Sequence, residues 1–318
     1  VWEACHQQRG IEVMFVESLC TDPAIIETNI RQVKLTSPDY RHMEAEAAVA
    51  DFCSRIAHYE AVYQSIDEKE WQESEDSAYD EARVSYAKLI NAGEQAILNN
   101  IHSYQQSRII FLLLNLHIMP RHIYLCRHGE TDFNLAGRIG GDGQLSERGR
   151  AFATALPGIM AGLLDPAKEL TVWTSTLKRT VETASLLPHP QIAWKALDEI
   201  DAGVCDGLTY EEIAECYPQE FAARDQDKLH YRYRGGESYA DLILRLEPVI
   251  MELERQQDVL IVGHQAVLRA ILGYLLATPR DQMPYLQVPL HTIIKLTPNA
   301  YGCEMEHISV PIPAVNTH

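Results

Sequence analysis

The chain has 318 residues, 46% of them hydrophobic and 23% charged, which is enough for ordinary globular cores and about two domains. Its formal net charge of −18 argues against nucleic acids and anionic membranes as partners, and no apolar run is long enough to span a bilayer. Seven cysteines without a C-x-x-C pair predict reduced thiols in a cytoplasmic protein. An acidic protein that binds an anion must gather its cations locally, so the positions of the arginines matter more than their number.

The first part of the chain contains predicted strands and helices. Residues 11–16 read as a buried strand, and helical patterning follows from about Pro23, over 44–66, and again over 94–116. Pro120 disfavours helical conformation in the residue before it. We therefore expect two domains, over residues 1–119 and 120–318.

The second predicted domain alternates short apolar strands with amphipathic helices. Strands are expected at 123–126, 170–173 and 258–262, and helices after Ser146, over 177–187 and after His264. This alternation is typical of an α/β domain with helices on both faces of a largely parallel sheet. Ligands of such sheets bind beyond the carboxyl ends of the strands.

Charged and nucleophilic side chains follow these strand ends. The sequence Arg127-His128-Gly129 offers a fixed positive charge, an imidazole that is partly neutral at cytosolic pH, and an open backbone. His128 is thus a candidate nucleophile for phosphoryl transfer. Arg127 and Arg179 are candidate clamps, because a guanidinium fork matches two phosphate oxygens at once.

Two further residues complete the candidate chemistry. His264 could donate to another phosphoryl oxygen, and Glu199 could give a proton to the leaving oxygen. Taken alone, His264 would be a hydrogen-bonded structural histidine, Glu199 an exposed turn residue and Arg179 a solvated helix residue. The positions of all these residues just beyond strand ends favour one site. No H-E-x-x-H and no phosphate-binding loop of the G-x-x-x-x-G-K-[ST] type occur in the sequence, so we expect no metal and no other cofactor.

Three short motifs carry a resemblance to a known family. They are Leu-Cys-Arg-His-Gly-Glu-Thr at 125–131, Thr-Ser-Thr-Leu-Lys-Arg-Thr at 174–180 and Val-Gly-His-Gln at 262–265. The chain resembles the histidine phosphatase superfamily, which includes the cofactor-dependent phosphoglycerate mutases. Segments 196–205, 236–239 and 245–254 narrow the resemblance to the bisphosphatase domain of the bifunctional 6-phosphofructo-2-kinase/fructose-2,6-bisphosphatase family. Segments 15–20, 33–40 and 106–108 resemble the later part of that family's kinase domain.

The resemblance implies a three-layer α/β/α domain with a mostly parallel sheet, preceded by an incomplete α/β kinase remnant. It implies hydrolysis of the 2-phosphate of fructose 2,6-bisphosphate through a phosphohistidine on His128, with Glu199 as acid and then base, and hence control of glycolysis and gluconeogenesis. The phosphoryl group would be held by Arg127, Arg179, His264, Asn134 and Gly140. The sugar and its 6-phosphate would be held by Tyr210, Arg224, Lys228, Tyr239, Gln265 and Arg269.

The sequence also departs from the family pattern. Family kinases carry an arginine and a tyrosine where this chain has Gln95 and Ala96, and glutamine offers no charge to a sugar phosphate. With no nucleotide loop in the chain, we expect residues 1–119 to be inactive as a kinase. Arg234 stands where the family has a proline, and its role is open. A homodimer formed through the kinase-domain region is compatible with the resemblance.

Two other functions remain open from the sequence. The first is a phosphatase or mutase of the same superfamily that acts on another phosphorylated metabolite. The second is a non-catalytic regulatory module, against which the presence of His128, Arg179, Glu199 and His264 argues.

Overall fold

The computed structural model describes residue 5 and residues 11–31, 40, 42–66, 84–91, 94–115, 121–166, 168–299 and 302–317. The chain divides into two compact units, Val1–Ile118 and Met119–His318. Pro120, where we predicted the domain boundary, lies outside the described residues. Within these ranges, no helix combines the length and the apolar character that crossing a bilayer requires.

The first unit contains a three-stranded sheet. Its strands are β1 (Met14–Leu19), β2 (Ser85–Ile90) and β3 (Gln95–Asn99), and β2 lies between a parallel β1 and an antiparallel β3. Within the described residues of this unit, the helices are α1 (Pro23–Asn29), α2 (Ala45–Glu60) and α3 (Tyr104–Asn115). The side chain of Asp22 caps α1 by accepting from the amide of Ala24.

The predicted helix over 94–116 is wrong in its first half. Residues 95–99 form β3, because pairing with β2 satisfies their backbone groups and outweighs their intrinsic helix preference. Asn100 then turns the chain with a φ of 53°. The hydroxyl of Ser103 accepts from the amide of Gln106, whose side chain accepts from the amide of Ser103, so α3 starts there.

The second unit contains a mostly parallel six-stranded sheet, as predicted. Its strands are β4 (Ile123–Arg127), β5 (Leu170–Thr174), β6 (Gln191–Ala193), β7 (Asp258–Gly263), β8 (Thr292–Asn299) and β9 (Gly302–Ser309). The order across the sheet is β6-β5-β7-β4-β8-β9, in which the first four strands are parallel. The last two strands run antiparallel to their neighbours.

Seven helices of the second unit lie within the described residues. They are α4 (Asp132–Leu135), α5 (Glu147–Leu163), α6 (Lys178–Ala184), α7 (Tyr210–Cys216), α8 (Pro218–Gln226), α9 (Tyr239–Arg255) and α10 (Gln265–Leu275). Side-chain caps set several of their starts. Ser146 accepts from the amide of Gly149, as expected for the predicted N-cap, and Ser238 and Asp241 cap α9 reciprocally.

The central strands β4 and β7 bury both faces. Ile123 and Leu125 point to one face, where they join a core cluster with α9 and α10 residues such as Leu246 and Ile271. The alternate residues of the same strands point to the other face, where they pack with Phe152, Leu156 and Met160 of α5. Helices therefore cover both sides of the sheet, which confirms the predicted three-layer α/β/α architecture.

Candidate active site

Two histidines meet where the two central strands end. Because β4 and β7 are parallel neighbours in register at Arg127 and Gly263, the residues that follow them lie side by side. The amide of His128 donates to the carbonyl of Gly263 at 3.0 Å. The rings of His128 and His264 lie 5.2 Å apart between centroids and are tilted by 55°. The sheet thus unites residues that are far apart in the sequence.

The His128 ring presents one nitrogen for reaction. Its Nδ1 lies 2.9 Å from the carbonyl oxygen of Gly129, which can only accept, so Nδ1 carries the proton. The Nε2 atom then holds the lone pair. Burial lowers the pKa of His128 well below its ordinary value, and the charges of Arg179 and Arg127 lower it further. A neutral imidazole with a defined tautomer is the form that can attack phosphorus.

The loop that carries His128 is packed tightly against helix α5. A Cβ on Gly129 would lie 2.6 Å from the carbonyl oxygen of Gly149, so the two backbones can approach only without side chains. The next residue, Glu130, is fully buried, and its carboxylate accepts from the hydroxyl of Ser146 and two guanidinium nitrogens of Arg148. Sequence reasoning missed this anchoring role of Glu130.

Two buried guanidinium groups lie beside His128. Arg127 donates from Nη1 to the carbonyl of Val288 at 3.2 Å and to the hydroxyl of Thr317 at 2.6 Å. Burial lowers the pKa of Arg127 to about 10, which leaves it charged at neutral pH. Arg179 stands in the first turn of α6, donates to the carbonyl of Gly141 and lies 3.5 Å from a carboxylate oxygen of Asp142. Both predicted clamps are therefore fixed in place.

His264 is the N-cap residue of α10 and is fully buried. Its Nε2 lies 2.7 Å from the hydroxyl of Ser175, while its Nδ1 has no hydrogen-bond partner among the described residues. Burial lowers its pKa well below the ordinary value, helped by the charge of Arg179. The Nδ1 atom is thus a hydrogen-bonding group next to the nucleophile that no described residue satisfies.

Glu199 follows the short 3₁₀ turn Lys195–Leu197 and is half-buried. Its carboxylate accepts from the amide of Ile200 at 3.0 Å and from the amide of Ala266 at 3.2 Å. The second bond ties it to the start of α10, next to His264. Its negative charge also acts on the buried Arg127 and Arg179. The predicted proton donor therefore lies within the same group of side chains.

Asn134 and Gly140 lie on the loop that continues from the signature. The side-chain oxygen of Asn134 accepts from the amide and hydroxyl of Thr131, which leaves its amide group for other contacts. Gly140 has a φ of 65°, and a Cβ there would overlap the carboxylate of Asp206. The positive φ favours glycine at this turn, and the absence of a side chain lets the backbone line the site directly.

A second group of cations is held by tyrosines. Arg224 donates to the hydroxyls of Tyr233 and Tyr210, each at 3.0 Å. Arg269 donates to the hydroxyl of Tyr239 at 3.4 Å. Burial lowers the pKa of Lys228 to about 8, and the charges of Arg269 and Arg224 lower it further. Three cations close together repel one another unless an anion lies among them, so this group is suited to bind an anion.

One cavity of about 250 Å³ connects the side chains around His128 with the second group of cations. Every predicted site residue except His264 lines it, namely Arg127, His128, Asn134, Gly140, Arg179, Glu199, Tyr210, Arg224, Lys228, Tyr239, Gln265 and Arg269. His264 lies next to His128, but the structure does not place it on the cavity wall, where the predicted contact with the phosphoryl group would require it. With Arg138, six cations face the cavity against two carboxylates, Glu199 and Glu211. The cavity thus concentrates positive charge in a protein of net charge −18.

The cavity also contains residues that sequence reasoning missed. Tyr231 and Tyr233 line it, but the intervening and following arginines, Arg232 and Arg234, are exposed and are not among the lining residues. Thr317 lines it from far along the chain, and no motif around it signals that position. Among the residues that the structure describes, no cluster of three or more His, Cys, Asp or Glu side chains could hold a metal ion.

Comparison with known proteins divides the chain between two family models. The model of the histidine phosphatase superfamily (branch 1) matches residues 123–311, and the model of 6-phosphofructo-2-kinase matches residues 1–120. The first match confirms the resemblance drawn from the motifs around His128 and His264, and the second confirms the one drawn from segments 15–20, 33–40 and 106–108.

Curated relatives and solved structures add detail. The chain is 54% identical to a 6-phosphofructo-2-kinase/fructose-2,6-bisphosphatase of Gallus gallus and 52% identical to isoform 4 of that enzyme from Homo sapiens. Each alignment covers 98% of this chain and 64% of the relative, so the chain spans less than two thirds of their length. An α-ribazole phosphatase from Shigella flexneri superposes with a TM-score of 0.53 at 25% identity, over 62% of this chain and 100% of that one. A mycobacterial glucosyl-3-phosphoglycerate phosphatase complexed with VO3 gives 0.51 at 25% identity, over 60% and 98%.

Proposed function

Because this chain belongs to the histidine phosphatase superfamily, we propose that it hydrolyses the 2-phosphate of fructose 2,6-bisphosphate to fructose 6-phosphate and phosphate. The substrate is then a small phosphorylated sugar in the cytoplasm, and the reaction would contribute to the control of glycolysis and gluconeogenesis. Relatives that are 51–54% identical carry this bisphosphatase in their names, which supports the choice of substrate.

In the first step, the lone pair on Nε2 of His128 attacks the phosphorus of the 2-phosphate. The bond between phosphorus and the sugar oxygen breaks, and Glu199, which must enter this step as the carboxylic acid, gives its proton to that oxygen. Arg127 and Arg179 hold the equatorial oxygens, where the charge of the transition state is spread. The hydrogen bond from Nδ1 to Gly129 supports this step, because it stabilises the imidazole as it becomes positively charged.

In the second step, water hydrolyses the phosphohistidine. Glu199, now ionised, accepts a proton from the water as its oxygen bonds to phosphorus. The bond between phosphorus and Nε2 breaks, and its electron pair returns to the ring of His128. Inorganic phosphate leaves, and the site returns to its starting state without a metal or another cofactor taking part.

The observation that carries this proposal is the shared cavity. It brings His128 and its guanidinium groups together with a second cationic group, Arg224, Lys228 and Arg269. A monophosphorylated ligand would need only one of the two groups. A sugar with two phosphates can neutralise both, which favours a bisphosphate over a monophosphate as substrate.

A panel of labelled phosphorylated sugars and glycerates would test the proposal. We expect fructose 2,6-bisphosphate with a radiolabel on its 2-phosphate to be hydrolysed fastest and to leave acid-labile label on the protein in rapid quench. Preferred hydrolysis of another panel member would disprove the substrate. Transfer of label to a second sugar rather than to water would identify a mutase.

The substitution His128→Ala tests the nucleophile. It should reduce turnover by roughly 10³-fold or more and abolish the acid-labile label, because no other ring nitrogen occupies that position. His307→Ala is the matched control, since His307 is exposed on β9. Retained label in His128→Ala would remove the assignment.

For the first unit, we propose that residues 1–119 lack 6-phosphofructo-2-kinase activity in this chain. The substitution of neutral Gln95 and Ala96 for the arginine and tyrosine of family kinases supports this proposal. Gln95 starts β3 and is exposed, so its side chain is available but uncharged. Formation of fructose 2,6-bisphosphate from fructose 6-phosphate and ATP by this chain would contradict it.

A further inference from the structure

The segment of residues 310–317 is bound to the loop that carries the nucleophile. After β9, the carbonyl of Ile312 accepts from Nδ1 of His291 at 3.1 Å. The amide of Val315 then donates to the carboxylate of Glu130 at 2.9 Å. The segment reaches the cavity at Thr317, whose hydroxyl lies 2.6 Å from Nη1 of Arg127. These bonds give the segment a defined path.

The bonds of Arg127 show which of its edges remains available. Its Nη1 donates both to the carbonyl of Val288 and to the hydroxyl of Thr317, so both hydrogens of that nitrogen are used. Its Nε is buried and has no hydrogen-bond partner among the described residues. A guanidinium binds a phosphate most strongly through two parallel N–H groups. The edge formed by Nε and Nη2 is therefore the one that can bind a phosphoryl group in this way.

We propose that Thr317 is a positioning residue, which holds the Arg127 guanidinium so that its Nε–Nη2 edge faces the phosphoryl group bound at His128. This inference rests on the proposed function of the site. With two oxygens bound to one terminal nitrogen, the plane of the guanidinium is fixed. With only the carbonyl of Val288 left, the group could swing on its flexible side chain and lose the bidentate geometry.

The position of Thr317 also argues against a competing role, in which it would obstruct the phosphoryl site. If Thr317 occupied the phosphoryl position itself, it would bond to the free edge of Arg127. Instead, it bonds to the nitrogen that already binds a main-chain carbonyl. A neutral hydroxyl that accepts one hydrogen bond also leaves the positive charge of Arg127 uncompensated. The geometry therefore favours support of the arginine over obstruction of the site.

Two substitutions of Thr317 separate its hydroxyl from its methyl group. Thr317→Val keeps the shape and removes the hydroxyl, whereas Thr317→Ser keeps the hydroxyl. Thr154→Val is the matched control, because Thr154 is exposed on α5. For each variant in the full chain, we would measure kcat and KM with fructose 2,6-bisphosphate, the Kd of inorganic phosphate by calorimetry, and the Tm.

We expect Thr317→Val to lower kcat/KM and to weaken phosphate binding, each by about tenfold, with the Tm unchanged. Thr317→Ser and Thr154→Val should stay within about twofold of the parent chain in both measurements. Retention of both values by serine, together with their loss in valine, is the result that a role of the threonine in packing alone would not produce.

Three results would overturn the inference. They are wild-type values in Thr317→Val, equal losses in Thr317→Val and Thr317→Ser, or a gain in turnover and phosphate affinity when the hydroxyl is removed. The last would show that Thr317 competes with the phosphoryl group. If the parent chain itself does not hydrolyse fructose 2,6-bisphosphate, the proposed function fails, while the phosphate affinities still decide the role of Thr317.

Discussion

The Glu199 carboxylate combines two tasks in one position. Main-chain amides of Ile200 and Ala266 hold it at the start of α10, and its charge acts on two buried guanidinium groups. In the proposed reaction it must also give a proton and then take one back. Because both hydrogen bonds come from main-chain amides, the carboxyl group does not depend on another side chain for its position. It can therefore give the proton and take one back without moving.

Replacing Glu199 with glutamine tests the proton transfer. Glu199→Gln keeps the size and one acceptor oxygen but can neither give nor take a proton, so turnover should fall by roughly 10²–10⁴-fold. Steady-state kinetics with fructose 2,6-bisphosphate would measure the loss. Glu182→Gln, an exposed change on α6, should have no effect. Unchanged turnover in Glu199→Gln would assign the proton transfer to another group.

Replacing Arg224 tests the second cationic group. Arg224→Ala should raise the KM of fructose 2,6-bisphosphate by roughly 10–100-fold, since a charged hydrogen-bond donor is lost, and should leave the KM of a sugar 2-phosphate nearly unchanged. Arg232→Ala, an exposed arginine paired with Asp241, is the control. Equal effects on both substrates would remove the assignment to the 6-phosphate.

The roles of the individual site residues could be predicted from the sequence to different degrees. Arg127, His128, Arg179 and His264 follow strand ends, so their types and positions suggested one site. The family resemblance supplied the residues that are predicted to hold the sugar. The support of Arg127 by Thr317 could not be predicted, because it depends on the path of a segment that has no motif of its own.

At the level of secondary structure, the active-site loop depends on the start of helix α5. Gly149 stands in the first turn, where a Cβ would overlap the carbonyl oxygen of Glu130. Ser146 fixes that turn twice, because its hydroxyl caps the helix and also donates to Glu130. The helix start and the loop are therefore one rigid assembly, and a change in the helix should alter the position of His128.

The substitution Gly149→Ala tests this coupling. We expect it to lower stability by about 1–3 kcal/mol, because the added methyl group must displace the Glu130 backbone, and to lower kcat as well. Gly158→Ala on the same helix is the matched control. Nothing lies within 4 Å of a Cβ there, so the change should leave kcat unchanged and stabilise the helix by about 0.5–1 kcal/mol. Chemical denaturation would measure both, and equal effects would refute the coupling.

The elements themselves were mostly predictable from apolar patterns and caps. The strands predicted at 123–126, 170–173 and 258–262 occur, each extended by one residue. The error at 94–116 arose because Ala96, Ile97 and Leu98 fit a helix as well as a strand. Pairing with β2 decides between the two, and that pairing is not visible in the local sequence.

Across the whole second unit, three buried histidines and the half-buried His122 link stability to pH. The pKa values of His122, His128, His264 and His291 are all lowered, in each case chiefly by burial. Near pH 6.5, these histidines therefore bind protons in the unfolded chain but stay neutral in the folded chain. Stability attributable to these groups is fully present above that value and is lost as the pH falls below it.

We accordingly expect the Tm to fall by several degrees between pH 7 and pH 5 in calorimetry. Each proton that only the unfolded chain binds lowers the free energy of unfolding by at most about 1.4 kcal/mol per pH unit. The carboxylates with lowered pKa values, such as Glu130, lose their contribution to stability mainly below about pH 5, so the change between pH 7 and pH 5 comes chiefly from the histidines. His122→Asn should reduce the slope, and His307→Ala should not. A Tm that is constant over the window would contradict the prediction.

The position of β7 has a consequence for how the chain acquires its structure. This strand lies between β5 and β4, although both precede it in the sequence. Until residues 258–263 are in place, β4 and β5 each lack their shared central neighbour and leave an open edge that invites pairing between chains. Such non-local insertion slows folding, so association of incompletely synthesised or partly refolded chains should be the main competitor of correct assembly.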